Sequence, residues 1–193
     1  MVTSEKATIF VVGDSLVAGV GSTSGGWAQR LAEVWTDTSI IGIPGASTSE
    51  LLVRLGATSS DYLATARTVI VHIGINDSRL RPSKGASEVS LDEFRRNLIR
   101  IVKFFPNADK IAFVGLPRVI EELANPYRPD RHYLNCLVSV FDYAIREAAK
   151  ESDALYIDVP ALDAGGMMAD GIHPSDEGYL AILYRVLKLL DIG

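Results

Sequence analysis

Four short motifs along the chain contain the residue types that acyl transfer needs. They are Gly13-Asp14-Ser15-Leu16, Ile43-Pro44-Gly45-Ala46-Ser47, Gly74-Ile75-Asn76-Asp77 and Asp170-Gly171-Ile172-His173-Pro174. A serine, an imidazole beside a carboxylate, a side-chain amide and backbone N–H groups are the components of a serine-dependent hydrolytic site. Their order along the chain predicts that a single site uses all four motifs.

The fourth motif supplies a carboxylate and an imidazole within one turn of chain. Asp170 lies three residues before His173, so its carboxylate can reach Nδ1, fix the tautomer and leave Nε2 facing Ser15. The other two histidines have different surroundings. His72 lies in an apolar run and is expected to be a buried, hydrogen-bonded core residue, whereas His132 lies in a charged stretch and is expected at the surface.

Ser15, Gly45 and Asn76 each have a structural interpretation beside the catalytic one. Ser15 stands where a helix N-cap would suit equally well, and Gly45 and Asn76 are typical turn residues. The presence of the other motifs favours Ser15 as the nucleophile, and Gly45 can be both a turn residue and an amide donor. Asp14 and Asp77 are predicted to support the site by tying down its loops.

Apolar runs alternate with helical patterns, which predicts βαβ units and a parallel sheet. The predicted strands are 7–12, 39–43, 68–73, 111–114 and 155–157. The predicted helices are 27–34, 47–56, 90–105, 134–148 and one from about 175, which is expected to bury Leu180, Leu183, Leu187 and Leu190. Capping boxes begin the second and third, at Ser47 with Glu50 and Ser90 with Glu93. The first three motifs therefore follow strands, where open α/β sheets build their sites.

The connections 79–87, 116–129 and 158–168 are expected to shape the pocket. Arginines 118, 128 and 131 could recognise an anionic leaving group there, although arginines in loops are more often surface residues. Methionines 167 and 168 could line the acyl site or pack in the core. Core positions are predicted for tryptophans 27 and 35 and for the single cysteine, Cys136, although Trp27, which follows Gly25 and Gly26, could instead lie at the edge of the pocket.

Composition excludes several classes of protein. The 193 residues fit one domain, 1–193, with 48% apolar and 22% charged residues. A net charge of −5 argues against a nucleic-acid partner. No apolar stretch is long enough to predict a stable membrane anchor, and no signal peptide is visible. We therefore expect a cytoplasmic protein, with a trimmed secreted form as the alternative.

Together the four motifs resemble the SGNH hydrolases, also called the GDSL esterase/lipase family, from Gly13 to His173. The resemblance implies a three-layer α/β/α sandwich with a five-stranded parallel sheet in the flavodoxin-like order 2-1-3-4-5. In that order strand 1 lies between strands 2 and 3, so the loops holding Gly45 and Asn76 flank Ser15. The resemblance also implies that the Asn76 side chain donates the third hydrogen bond of an oxyanion hole, beside the amides of Ser15 and Gly45.

The leading hypothesis is a serine carboxylic-ester hydrolase that acts through an acyl-enzyme on a small-molecule ester and needs no cofactor or metal. Family members also include acyl thioesterases, lysophospholipases and carbohydrate O-acetylesterases, and the motifs do not distinguish these substrates.

Three other classes of protein fit less well. A metal-dependent hydrolase could use Asp14, Asn76, Asp77, Asp170 and His173 as ligands, but only one histidine lies near the carboxylates. A flavodoxin-like binding module would need a G-x-G-x-x-G or Walker sequence, which does not follow the first strand. An enzyme of the α/β-hydrolase fold would carry its serine in a G-x-S-x-G turn, the nucleophile elbow, which needs glycine two residues after the serine, where this chain has Val17.

Overall fold

The computed structural model describes residues 8–163 and 165–189. In the described residues the strands are β1 (Ile9–Gly13), β2 (Thr38–Gly42), β3 (Thr68–His72), β4 (Leu80–Arg81), β5 (Ala86–Ser87), β6 (Lys110–Val114) and β7 (Leu155–Ile157). β2, β1, β3, β6 and β7 form one parallel sheet in that order. Since β6 and β7 are the fourth and fifth strands of this sheet, the expected order 2-1-3-4-5 is confirmed.

Helices cover both faces of the sheet. They are α1 (Ser15–Ala18), α2 (Trp27–Val34), α3 (Thr48–Gly56), α4 (Ser60–Leu63), α5 (Leu91–Val102), α6 (Glu121–Ala124), α7 (Asn135–Glu151) and α8 (Asp176–Leu189). Because side chains alternate along a strand, β1 sends Phe10 and Val12 to one apolar cluster, and Ile9 and Val11 to another. Helices α3, α5 and α7 pack in the first cluster and α2 and α8 in the second, which confirms the three-layer sandwich.

Local sequence signals explain where two of these helices begin. At α3 the predicted capping box is complete, because Ser47 Oγ accepts from the Glu50 amide and the Glu50 carboxylate accepts from the Ser47 amide at 2.7 Å. At α5 only half of the motif forms. Ser90 Oγ accepts from the Glu93 amide at 3.3 Å, but the Glu93 carboxylate accepts from Ser49 Oγ on α3.

Several sequence-based expectations differ from the structure. The connection 79–87 contains the β4–β5 hairpin, and Leu80 also pairs with His132. Cys136 is exposed, because α7 turns Val138, Phe141 and Ile145 toward the core instead.

The core face of α8 is also set differently from the prediction. Its buried residues include Tyr179, Ile182 and Val186, which leaves the predicted core residue Leu180 exposed. Leu183 is buried and Leu187 is partly buried, as expected. The predicted core residue Leu190 lies outside the described residues.

In the part of the chain that the structure describes, no helix has both the length and the apolar character needed to cross a membrane.

Candidate active site

The end of β1 places Ser15 at the rim of the sheet. Gly13 closes the strand where no side chain fits, since a Cβ there would lie 1.9 Å from the His72 carbonyl oxygen on β3. Asp14 then caps α1 by accepting from the Leu16 amide at 2.9 Å. This tight strand-to-helix turn makes Ser15 the first residue of α1, with only 3% of the residue exposed.

Ser15, His173 and Asp170 form a continuous hydrogen-bonded chain. His173 Nε2 lies 2.9 Å from Ser15 Oγ, and His173 Nδ1 lies 2.8 Å from Asp170 Oδ2. The other carboxylate oxygen of Asp170 accepts from the backbone amides of Ile172 and His173 at 3.0 and 2.8 Å. These bonds orient the carboxylate toward the imidazole, in the arrangement that activates a serine hydroxyl.

The electrostatics at Asp170 keep its carboxylate ionised. Partial burial by itself would raise its pKa, but the hydrogen bonds from the His173 ring and from the two amides outweigh burial and hold the pKa well below its usual range. The hydroxyl of Tyr127 also donates to Oδ2, at 3.1 Å. A carboxylate that stays charged can stabilise the imidazolium formed when His173 takes a proton.

Gly45 and Asn76 face the same cavity from the ends of β2 and β3. Gly45 has φ +81°, a conformation that favours glycine, and apart from its chain neighbours no other described residue has an atom within 4 Å of the position that its Cβ would take. Asn76 Nδ2 donates to the neighbouring Ala46 carbonyl oxygen at 3.1 Å. Among the described residues, the amides of Ser15 and Gly45 donate to no protein acceptor. Both amides therefore remain available to a substrate oxygen.

Asp14 and Asp77 are buried beside the site but make different contacts. Asp14 lies 3.5 Å from Asn76 Nδ2, and burial raises the pKa of its carboxyl group to about 7 despite the bond from Leu16. Asp77 turns away to α3, where it accepts from the amide and hydroxyl of Thr48. Burial raises its pKa to about 6 against those bonds. Both carboxyl groups thus tie the site loops to the helices.

The cavity above Ser15 has a volume of about 300 Å³. Four predicted site residues line it: Ser15, Gly45, Asn76 and His173. The other lining residues are Val20, Pro44, Arg79, Tyr127, Arg128, Arg131 and Tyr133. The connections 79–87 and 116–129 therefore contribute to the wall as expected, whereas residues 158–163 and 165–168 do not.

Three of the candidate pocket residues in the loops lie elsewhere. Arg118 pairs with Asp163 and is largely exposed, away from this cavity. Met167 and Met168 pack against the core cluster on the α2 and α8 face, so the packing interpretation is the right one for both. Arg128 and Arg131 do line the cavity.

Sequence reasoning missed Arg79 and Tyr133, which hold the Asn76 side chain. Tyr133 donates its hydroxyl to Asn76 Oδ1 at 3.2 Å, and Arg79 Nη1 donates to the same oxygen at 3.4 Å. Arg79 is 6% exposed and pairs with Glu88 at 2.7 Å. The position of Arg79, three residues after Asn76, could have indicated this contact, because one turn of chain brings such residues together. No sequence pattern indicates the contact between Tyr133 and Asn76.

The two histidines outside the motifs have no catalytic contact. His72 is fully buried, and its Nδ1 accepts from Trp27 Nε1 at 3.2 Å, as predicted for a core histidine. Burial lowers its pKa to about 3, so the ring is neutral. His132 is half-buried rather than exposed, because its backbone pairs with Leu80. Within residues 8–163 and 165–189, no three His, Cys, Asp or Glu side chains gather as a metal site.

Solved structures of esterases and acylhydrolases share this fold. A catalytic mutant of an acetylxylan esterase from Geobacillus stearothermophilus matches with a TM-score of 0.71 and 17% identity, over 96% of this chain and 93% of that one. The lipase/acylhydrolase from Enterococcus faecalis matches with a TM-score of 0.72 and 19% identity, over 95% of each chain. An alpha/beta hydrolase enzyme from the metagenome of Lake Arreo, Spain, matches with a TM-score of 0.72 and 18% identity, over 96% of this chain and 95% of that one.

Sequence comparison adds the family. No curated protein sequence matches the chain significantly. The model of the GDSL-like lipase/acylhydrolase family, however, matches residues 11–181, which include all four motifs. A serine nucleophile and a catalytic triad are typical of that family. From this match, and from the fold it shares with solved esterases, we conclude that the chain belongs to the GDSL-like lipase/acylhydrolase family and hydrolyses ester bonds.

Proposed function

We propose that the protein is a serine carboxylic-ester hydrolase in which Ser15, His173 and Asp170 form the catalytic triad. The observation that supports this most directly is the chain of hydrogen bonds from Ser15 Oγ through His173 to Asp170, with lengths of 2.9 and 2.8 Å. The chain opens onto a cavity that a small ester can enter.

In the first half of the reaction, Ser15 Oγ attacks the acyl carbon while His173 Nε2 takes the hydroxyl proton. The developing negative charge on the carbonyl oxygen is stabilised by the amides of Ser15 and Gly45 and by Asn76 Nδ2. In similar sites, one such donor contributes about 2.7–4 kcal/mol to transition-state stabilisation. Asp170 remains ionised and stabilises the imidazolium.

The proton on His173 then passes to the leaving oxygen, so the tetrahedral intermediate expels the alcohol and leaves acyl-Ser15. Water then enters, and His173 takes a proton from it as it attacks the acyl carbon. The same three donors stabilise the second oxyanion, and His173 returns the proton to Ser15 as the acid is released. Neither a metal nor a cofactor takes part.

The cavity favours a short acyl group over a long lipid chain. Its volume is about 300 Å³, and Val20 and Pro44 are the aliphatic residues among those that line it. A long acyl chain would need an extended apolar surface to bury its methylene groups. Thioesters, lysophospholipids and acetylated sugars use the same chemistry and are the alternatives; the acetylxylan esterase is a structural neighbour with a short acyl substrate.

The decisive variant is Ser15→Ala, with Ser139→Ala on the exposed side of α7 as the matched control. Aryl esters of increasing acyl length, acyl-CoA and acetylated sugars serve as substrates, and a fluorophosphonate probe reports the nucleophile by mass spectrometry. We expect turnover of short esters and labelling of Ser15 in the native protein and in Ser139→Ala, and neither in Ser15→Ala. Turnover by a folded Ser15→Ala protein would remove the nucleophile assignment.

A further inference from the structure

Three arginines line the cavity that contains Ser15, and among the described residues only one of them has an acidic partner. Arg79 pairs with Glu88 at 2.7 Å. For Arg128 and Arg131, no carboxylate lies within ion-pair distance among the residues that the structure describes. Nor does any described Asp or Glu line the cavity. Two positive charges therefore face the site without a counter-ion from the part of the chain that the structure describes.

The absence of a counter-ion follows from how the neighbouring carboxylates are engaged. Asp130 lies between the two arginines in sequence, but its carboxylate accepts from Arg81 Nε at 2.9 Å and from the Ser83 amide at 2.7 Å. Glu88 is shared by Arg79, Arg81 and Lys84. These bonds direct both acids to the β4–β5 hairpin, away from Arg128 and Arg131.

A tight turn that contains Arg128 and Arg131 is connected to the histidine side of the cavity through Tyr127. The Tyr127 amide donates to the Arg131 carbonyl oxygen at 3.1 Å, and the Arg131 amide donates to that of Arg128 at 3.0 Å. The Tyr127 ring lies edge-on to His173, with 6.3 Å between the ring centroids, and its hydroxyl bonds to Asp170. The turn is thus attached to the histidine side of the cavity.

That position identifies the part of the substrate that meets the arginines. The leaving oxygen must approach His173 Nε2 to receive its proton, so the leaving group occupies the histidine side. We infer that the preferred substrates are esters whose leaving alcohol carries an anionic group, a carboxylate or a phosphate, that binds Arg128 and Arg131. This inference rests on the proposed function of the same site.

The charge distribution makes this preference specific to the cavity. The protein carries a net charge of −5, so its surface as a whole repels anions. At the cavity the local charge is positive, because arginines and no described Asp or Glu line it. Guanidinium groups also present paired N–H donors that match the oxygen atoms of carboxylate and phosphate groups. An anionic ester is therefore both attracted to the entrance and oriented there.

The test compares three acetyl esters with similar shapes: 4-acetoxybenzamide, 4-acetoxybenzoate and 4-acetoxyphenyl phosphate. The native protein is compared with Arg128→Gln/Arg131→Gln and with the control Arg118→Gln, an exposed arginine that does not line the cavity. The measured quantity is the ratio of kcat/KM for each anionic ester to that for the neutral amide. Comparing ratios between proteins removes the intrinsic reactivity of each leaving group.

We expect the double variant to lower the ratio for at least one anionic ester by about tenfold, as for a charge-assisted bond at a partly exposed site. Arg118→Gln should leave the ratio unchanged, and added salt should lower the ratio in the native protein and in Arg118→Gln but not in the double variant. The ester whose ratio falls identifies carboxylate or phosphate as the preferred anion.

The failures of the two proposals are distinguishable. Equal ratios in the native protein and the double variant, with all three esters hydrolysed, would overturn the anionic-substrate inference and leave the ester hydrolase intact. Absence of hydrolysis of all three esters, together with no probe labelling of Ser15, would overturn both.

Discussion

The hydroxyl of Tyr133 donates to Oδ1 of Asn76 over 3.2 Å, and Tyr133 comes from a segment 57 residues further along the chain. Arg79 donates to the same oxygen. Since both groups are donors here, they bind the carbonyl oxygen of the Asn76 side chain. The amide nitrogen, Nδ2, therefore points toward Ala46 and Gly45. The pair therefore determines which end of Asn76 is offered to a substrate oxygen.

Tyr133→Phe tests this positioning role. Removal of one orienting hydrogen bond, worth about 0.5–1.5 kcal/mol, should lower kcat about two- to tenfold with little change in KM. The bond matters mainly when charge develops on the carbonyl oxygen, so the loss should appear in the chemical step. Steady-state kinetics on a short aryl ester measure it, with Tyr184→Phe on the exposed side of α8 as the control. A rise in KM with unchanged kcat would instead indicate a substrate contact.

Asn76→Ala tests the oxyanion donor itself. We expect kcat to fall by about 10²–10³ while KM changes little. A phosphonate probe should still label Ser15 in this variant, more slowly, because the phosphoryl oxygen uses the same donors. Mass spectrometry of the labelled peptide distinguishes this from Ser15→Ala, which should not be labelled. If the Asn76→Ala protein were fully active, Asn76 would not be an oxyanion donor, and its role would be that of a turn residue.

Gly171→Ala tests how closely α6 supports the loop that carries Asp170 and His173. Gly171 has φ +89°, and a Cβ there would lie 2.7 Å from the Cβ of Leu123. The clash should displace the Asp170–His173 pair and lower kcat by about tenfold to a hundredfold.

Gly166→Ala is the matched control for that change. Gly166 has φ +74°, but apart from its chain neighbours no other described residue has an atom within 4 Å of its Cβ position. Both variants should lose about 1–2 kcal/mol of stability through backbone strain, seen as a lower Tm, but only Gly171→Ala should lose activity. Equal kcat values in the two variants would contradict a role for this contact.

Asp14→Asn should change how stability depends on pH. Burial raises the pKa of Asp14 from 3.8 to about 7, so between these values the folded protein binds a proton that the unfolded chain has lost. The contribution of Asp14 to stability is therefore complete at low pH and is lost as the pH rises through this window. Asparagine carries no charge and avoids the cost of burying a carboxylate. The free energy of unfolding of the variant should therefore rise by up to about 4 kcal/mol relative to that of the native protein between pH about 4 and about 7.

Urea denaturation across this range measures that difference in the free energy of unfolding. Asp37→Asn replaces an exposed carboxylate and serves as the control, with a pH profile expected to run parallel to that of the native protein. Parallel profiles for Asp14→Asn as well would show that the buried carboxyl group does not favour its protonated form.

Residues close together in sequence could be placed from the sequence alone. Asp170 and His173 are three residues apart, so their contact needs only one turn of chain, and the capping box of Ser47 and Glu50 is equally local. The strands were also predictable, because apolar runs ending at glycine or proline indicate buried parallel strands. These features depend on backbone geometry over a few residues.

The tertiary structure alone decided which distant side chains complete the site. Tyr133 reaches Asn76, and Arg128 and Arg131 face the cavity with no counter-ion from residues 8–163 and 165–189, because the segment after α6 folds back onto the β4–β5 hairpin. Cys136 is exposed for a similar reason, since the packing of α7 selects one of two apolar faces. Such contacts depend on the relative free energies of alternative loop and helix packings, to which residues far apart in the chain contribute together, so no local pattern encodes them.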